Sequence, residues 1–270
     1  MNTFLFSIDL EDVRLRMKDG LKYSERVSQT THRILEFLEK HSVRCTFFVM
    51  GDVAELYPSL IREIHSKGHE IACHSASHIL LDKMNKEQFR DDLKKNIDSL
   101  QKAGAHEISG YRAPVFSLTE KTKWVYPILD EFGFTYSSSV LPAANPFYGW
   151  NDFGTGMKKV DGLLEIPMSV SSFFGKKIPF AGGIYFRVLP FFMIKNSFRK
   201  HFRNNKSIIG YFHPYDIDTD QERYMHPGIN DNHFYNFLIY FNRSSVFNRL
   251  EKIFRECTVL RYSDFAKNIH

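Results

Sequence analysis

Short apolar runs alternate with helix-patterned stretches along almost the whole chain, and few architectures absorb such an alternation. Thr3 to Ile8 is apolar and β-rich and ends in the acidic cluster Asp9-Leu-Glu-Asp12, as a strand buried on both faces would deliver polar groups to a sheet edge. Ser28 to Lys40 then carries Ile34, Leu35, Phe37 and Leu38 on a helical stripe, and Arg44 to Met50 is a second strand stopped by Gly51. The pattern continues with a helix over Val53 to His65, a strand over Glu70 to Cys73, and a helix from Lys86 to Ala103 closed by Gly104. Ile108 to Tyr111 is a fourth strand, Glu120 to Phe132 a helix, and Phe134 to Val140 a fifth strand. Leu141 to Lys159, rich in Pro, Asn, Gly and aromatics, reads as a long loop, and loops of that length inside a domain tend to be functional. Leu163 to Met168 is a sixth strand, Ala181 to Gly183 a tight turn, and Val188 to Phe202 a basic-aromatic helix. Ser207 to Phe212 is a strand, Phe234 to Cys257 a helix, and Val259 to Tyr262 a last strand. No composition break marks a linker and no internal repeat is visible. The expectation is α/β: one domain over residues 1–270, a distorted or incomplete (β/α) barrel with its active site at the C-terminal ends of the strands.

Composition narrows the function classes. A hydrophobic content of 43% in 270 residues supports a full core, and 26 phenylalanines fit a Phe-rich core or an aromatic cleft. The formal charge of +5 comes from basic residues interleaved with acids except around Lys195 to Lys206, so nucleic acid is not implied. Cys45, Cys73 and Cys257 are far apart and lack CxxC spacing, which argues against both a disulfide framework and a thiolate zinc site. Phe4 to Ile8 is too short for a signal h-region and no run approaches a membrane span, so a cytoplasmic enzyme is expected.

Polar residues fall at the predicted strand ends: Asp9 with Glu11 and Asp12, His74 with His78, Arg112, and His213. His74 and His78 are four residues apart, and on a helical turn both rings could reach one ion. Spacing alone decides little, since His65 and His69 share it, but Lys67-Gly68 between those two looks like a helix end that separates them. Two histidines and a carboxylate form a catalytic-type metal site with open positions, to which a free carboxylate adds a base and a further histidine an acid.

Ser-Ile-Asp9-Leu-Glu-Asp12, His74-Ser-Ala-Ser-His78, Tyr111-Arg-Ala-Pro-Val-Phe-Ser117 and Tyr211-Phe-His-Pro-Tyr-Asp216 resemble, in order, the successive motifs of the polysaccharide deacetylases, carbohydrate esterase family four. Leu164-Glu-Ile-Pro167 and Ala181-Gly-Gly-Ile-Tyr-Phe-Arg187 with Leu189-Pro190 resemble the branch associated with exopolysaccharide and O-antigen gene clusters. The resemblance implies metal-dependent removal of an N-acetyl group from an amino sugar, with Asp9 as general base and His74 and His78 as metal ligands. The third ligand is Asp12 or Glu11: alternation favours Glu11 if the strand continues, and a turn after Leu10 would present Asp12, which is the assignment adopted. Arg112 would hold Asp9 ionised, the backbone N–H near Val115 would help stabilise the oxyanion, and His213 would protonate the departing amine. Where relatives often place an aspartate to orient that histidine, this chain offers Ser137, so either another acid such as Asp152 or Asp161 substitutes or activity is altered.

The metal expected at a His₂-carboxylate site is Zn²⁺, with Co²⁺, Ni²⁺ and Fe²⁺ also admissible. The substrate implied is an N-acetylated sugar carried on lipid or nucleotide. Trp150, Phe147 and Tyr148 offer faces for a sugar ring, and Tyr215 and Asp216 serve either loop structure or substrate. The helix with Phe191, Phe192, Met193, Ile194, Phe198 and Phe202 packs on the core or docks on an anionic membrane face. Two other readings compete: hydrolysis of a cyclic imide or ureide on the same barrel, and a catalytically silent carbohydrate-binding protein suggested by Ser137 and the rearranged acidic motif.

Overall fold

The computed structural model describes residues 2–144, 148–173 and 175–269. β1 (Thr3–Leu10) is buried along its whole length because both of its faces are covered. Strand periodicity divides it: Phe4, Phe6, Ile8 and Leu10 enter the layer packed by helices, while Leu5 belongs to a separate inner cluster. α1 (Val27–Lys40) covers the outer face through Val27, Thr30, Thr31, Ile34, Leu35 and Leu38, a helical stripe. β2 (Thr46–Val49), β3 (Glu70–Cys73), β4 (Gly110–Tyr111) and β5 (Tyr136–Ser137) follow. Between them lie α2 (Gly51–Leu56), α3 (Pro58–Ser66), α4 (Lys86–Lys102) and α5 (Val125–Glu131). The remaining strands are β6 (Lys158–Val160), β7 (Leu163–Glu165), β8 (Val170–Phe173), β9 (Lys176–Pro179), β10 (Ile208–Phe212) and β11 (Thr258–Leu260). The remaining helices are α6 (Gly183–Val188), α7 (Phe191–Arg203), α8 (His233–Tyr240), α9 (Val246–Phe254) and α10 (Tyr262–Ala266).

The main sheet runs β10-β1-β2-β3-β4-β5-β7-β6, and all neighbours are parallel except the β6–β7 pair. β10 pairs with β1 over Phe4 to Ile8, whereas β2 takes its Ser7–Leu10 end and β11 its Thr3–Leu5 end, so β2 and β11 share the opposite flank. Beyond β7 the chain reaches back to β10: the Ser169 N–H donates to the Ile209 carbonyl (3.2 Å), and Ser169 Oγ accepts from the Ile209 N–H (2.9 Å). The sheet therefore curls round an interior filled by Leu5, Phe48, Ala72, Tyr136, Leu164 and Ile209. This is the distorted (β/α) barrel that the strand–helix alternation predicts.

The differences from the predicted elements have local causes. The helix expected over Val53 to His65 breaks at Tyr57, because Pro58 lacks an N–H and starts α3. The expected terminal helix breaks at Asn242, which takes a left-handed φ of 55° while its Nδ2 donates to the Arg187 carbonyl (2.9 Å). Pro190 separates α6 from α7, and the antiparallel β8–β9 pair fills the span before them. α7 turns Ile194 and Phe198 into the core and packs Phe191 and Phe202 against it, leaving Phe192 exposed. Among the described residues no helix is long and apolar enough to cross a membrane.

Candidate active site

Alternation carries Ser7, Asp9 and Glu11 toward the inside of the curled sheet at the C-terminal end of β1. The Glu11 carboxylate reaches the end of β3: its Oε1 lies 3.1 Å from His74 Nε2 and 3.0 Å from His78 Nε2. Glu11, His74 and His78 bring one ligand atom each within 4.8 Å of one another. Its Oε2 accepts from Arg16 Nη2 at 2.7 Å. Burial would raise the Glu11 pKa, but Arg16, His78, His213 and the His74 bond outweigh it and hold the carboxyl well below its usual range.

Asp12, expected as the third ligand, sits elsewhere. β1 ends at Leu10, but the backbone is still extended at Asp12 (φ −105°, ψ 100°), and Asp12 caps the 3₁₀ turn Val13–Arg16, accepting from the Arg14 backbone N–H (3.1 Å). Its carboxylate also pairs with Arg14 Nη2 (2.6 Å) and accepts from the Tyr57 hydroxyl (3.1 Å). Glu11 occupies the place beside the two histidines.

The two histidines do not share a helical turn. Residues after β3 form a loop with left-handed Ser75 (φ 67°) and His78 (φ 58°), a conformation uncommon for residues with a Cβ. α4 pins this loop. Asp92 accepts from the Ala76 N–H (3.1 Å) and Ser75 Oγ (3.2 Å), and Asn96 Nδ2 donates to the carbonyls of Ser75 (2.5 Å) and Val49 (3.0 Å). The Asp92–Asn96 pair was missed in the sequence, although polar residues four apart within the buried stripe Phe89, Leu93, Leu100 are its signal. His74 Nδ1 bonds the Arg112 carbonyl (2.8 Å), which aims Nε2 at Glu11. Burial lowers the His78 pKa to about 4, so its ring is neutral near pH 7.

Arg112 is fully buried and pairs with Asp9 Oδ1 at 2.5 Å. The Ser7 hydroxyl (2.7 Å), the Ser138 carbonyl (3.0 Å) and the Tyr262 hydroxyl (2.9 Å) accept its other N–H groups, and its guanidinium stacks 3.9 Å from the Phe48 ring centre. Just beyond it, Val115 takes a left-handed φ of 52°, a strained state for a β-branched residue at the rim of the cavity.

His213 follows β10. Its Nδ1 lies 2.8 Å from Asp216 Oδ2, and Asp216 Oδ1 accepts from the buried Arg187 (Nη2 2.9 Å, Nε 3.1 Å). The acidic partner therefore comes from the same motif as the histidine. Asp152 and Asp161 do not supply it: Asp152 is exposed beside Asn151, and Asp161 lies in the exposed β6–β7 turn. Ser137 bonds Ser139 Oγ (2.8 Å). Burial opposes a charged His213, but Glu11, the Asp216 bond and Asp9 together raise its pKa above the ordinary value. Burial would likewise raise Asp216, yet Arg187 and His213 hold it far below the usual carboxylate range. Tyr215 stacks on the His213 ring at 4.4 Å and 11°.

These groups face one cavity of about 370 Å³ lined by Asp9, Glu11, His74, His78, Arg16 and His213. Arg112 stands behind Asp9. Of the aromatic loop residues, Trp150 packs on Phe153 (5.0 Å between ring centres), Tyr148 donates to Asp82 (3.0 Å), and Phe147 lies outside the described residues. His65 and His69 do not converge, because His69 Nδ1 accepts from the Cys45 N–H (3.2 Å) and His65 is exposed.

Residues 15–136 match the family model described as polysaccharide deacetylase, and residues 138–267 match one described as a domain of unknown function. A peptidoglycan-N-acetylglucosamine deacetylase of Bacillus cereus is 33% identical over 95 residues, covering 35% of this chain and 34% of that protein. The chain spans 17% of two further curated relatives. A Mycobacterium smegmatis structure described as a polysaccharide deacetylase superposes with a TM-score of 0.62 at 21% identity, covering 99% of this chain and 89% of the other. An allantoinase structure gives 0.62 at 16% identity, covering 98% and 89%. At such identities the solved structures speak for the fold alone. Residues 15–136 are thus similar to the polysaccharide deacetylases, and the chain spans about a third or less of the first curated deacetylases it matches.

Proposed function

We propose that the chain is a metal-dependent hydrolase that removes an N-acetyl group from an amino sugar during surface-polysaccharide or O-antigen biosynthesis. One observation carries the reading: the Glu11–His74–His78 cluster, the Asp9–Arg112 pair and the His213–Asp216 pair open on the same cavity. The donor set fits a divalent ion, since it joins a carboxylate held ionised to two imidazole nitrogens, one of them on a ring whose Nδ1 is committed to a carbonyl. Zn²⁺ is the first candidate, and Co²⁺, Ni²⁺ and Fe²⁺ suit the same donors. Bound by Glu11, His74 and His78, the ion would polarise the amide carbonyl and acidify a water.

The chain's own residues divide the remaining work. Asp9, fixed by its bond from Arg112, accepts a proton from the attacking water. The backbone amide of Val115, at the cavity rim, offers a hydrogen bond to the developing oxyanion. His213, its charged form favoured by Asp216, gives its proton to the nitrogen as the C–N bond breaks, releasing acetate and a free amine. Asp9→Asn tests this assignment: metal content should match the parent while acetate release falls by about 10²–10⁴-fold. Loss of metal, or retained turnover, would remove Asp9 from the role of base.

The carrier in this reading is lipid or nucleotide, and the setting is cytoplasmic, extending to the inner membrane face. α7 contributes little apolar surface to a membrane contact, because its stripe faces the core. Phe192 on α7 and Phe234 and Phe237 on α8 are the exposed aromatics such a contact would use. Assay of acetylated sugars beside cyclic ureides separates the deacetylase from the ureide hydrolase. The silent-binder reading rests on Ser137 and the rearranged acidic motif; the Asp216 carboxylate beside His213 Nδ1 speaks against the first of these grounds, and sugar binding with no turnover at any metal loading would favour that reading.

A further inference from the structure

The catalytic cavity continues past His213 into a second one of about 200 Å³, and Tyr211, Tyr215 and Ile239 line both. Beyond that shared wall lie Leu141, Tyr148, Pro179, Ile184 and Tyr185. The charged residues lining the second cavity, Arg187, Asp216 and His213, are bonded to one another in the chain Arg187–Asp216–His213 (2.9 Å and 2.8 Å). The Tyr148 hydroxyl donates to Asp82. The walls thus present mostly aliphatic and aromatic surface, with Arg187 and His213 both turned to the Asp216 carboxylate. An alkyl or aromatic group gains from burial against Leu141, Pro179, Ile184, Ile239 and the tyrosine rings. A single acetyl methyl group would leave most of the space unfilled.

We infer that this cavity is an apolar subsite that takes an alkyl, prenyl or aromatic group attached to the substrate within reach of the amide. The inference rests on the hydrolase reading for the orientation of that amide. Two attachments would present the same chemistry: an acyl chain longer than acetyl, or an apolar carrier on the sugar.

Affinity titrations on the metal-reconstituted protein separate them. One series is methyl, butyl and hexyl glycosides of N-acetylglucosamine; the other is N-acetyl-, N-butyryl- and N-hexanoylglucosamine. Each buried methylene should tighten binding roughly three- to four-fold in the series that enters the subsite. The other series should stay flat. Ile184→Asp, on α6 and outside the catalytic cavity, should flatten the rising series, with thermal melting confirming its fold. Two flat series would overturn the inference, as would a rise that Ile184→Asp leaves intact, since that is unspecific adsorption. A rise abolished by Ile184→Asp without turnover of any compound would sustain the subsite and defeat the deacetylase reading.

Discussion

Asp92 offers a quantitative test of how the fold holds the loop that carries His74 and His78. Its carboxylate accepts from the Ala76 N–H and the Ser75 hydroxyl beneath a loop in which Ser75 and His78 are both left-handed. Hydrogen bonds to a charged group contribute about 1.5–3 kcal/mol each, so Asp92→Ala removes about 3–6 kcal/mol of local support. Holding two non-glycine residues in sparsely populated conformations costs on the order of 1–3 kcal/mol each. The support and the strain are of similar size, so without Asp92 the loop should relax and His74 and His78 should no longer converge. Metal affinity should fall by at least the roughly 10–100-fold typical of losing an outer-shell partner. Chelator competition on the reconstituted protein measures this, with urea denaturation of the metal-free protein run alongside. Asp92→Asn, which keeps one acceptor oxygen, should fall between. If Asp92→Ala lost stability yet bound metal as tightly as the parent, the loop would not need α4 to present its ligands.

Asp216→Asn removes the anion facing His213 Nδ1, and the protonated ring then loses its stabilisation. The raised His213 pKa means that this contribution is complete below the ordinary value and lost as pH rises through the raised one, so the alkaline limb of kcat should move to lower pH. The same change leaves the buried Arg187 without its partner and should cost about 3–5 kcal/mol in chemical denaturation; an unmoved limb would exclude Asp216 as the partner that tunes His213. Arg112→Lys keeps the charge but cannot reproduce contacts to Asp9, Ser7, Ser138 and Tyr262 together, so acetate release should drop at least tenfold with metal content unchanged; parental turnover would show that Asp9 needs only a nearby cation.

Much of the architecture was legible because strand–helix alternation is a global constraint: β1, β2, β3 and β10 announce themselves as apolar runs. The short strands β4 and β5 were found where expected but overestimated, since Gly110 and the serines after Tyr136 carry little strand signal. The β8–β9 pair went unseen, as Ser171, Ser172 and Lys176 to Ile178 read as loop. At the site, period-two alternation already pointed to Glu11, and the turn starts only at Val13 because the backbone stays extended through Asp12. His213's partner was sought in distant acids because a three-residue return of the chain is a tertiary detail of the turn Pro214–Asp216. Asp92 and Asn96 act from another element, and nothing local marks such a partner except its polarity within a buried stripe.

Metal content of the purified and reconstituted protein, compared across the parent, His74→Ala, Glu11→Gln and Asp12→Asn, tests the central claim most directly. Near-stoichiometric metal in the parent and in Asp12→Asn, with loss in His74→Ala and Glu11→Gln, is the predicted result. Retention in Glu11→Gln with loss in Asp12→Asn, or no metal in the reconstituted parent, would contradict it.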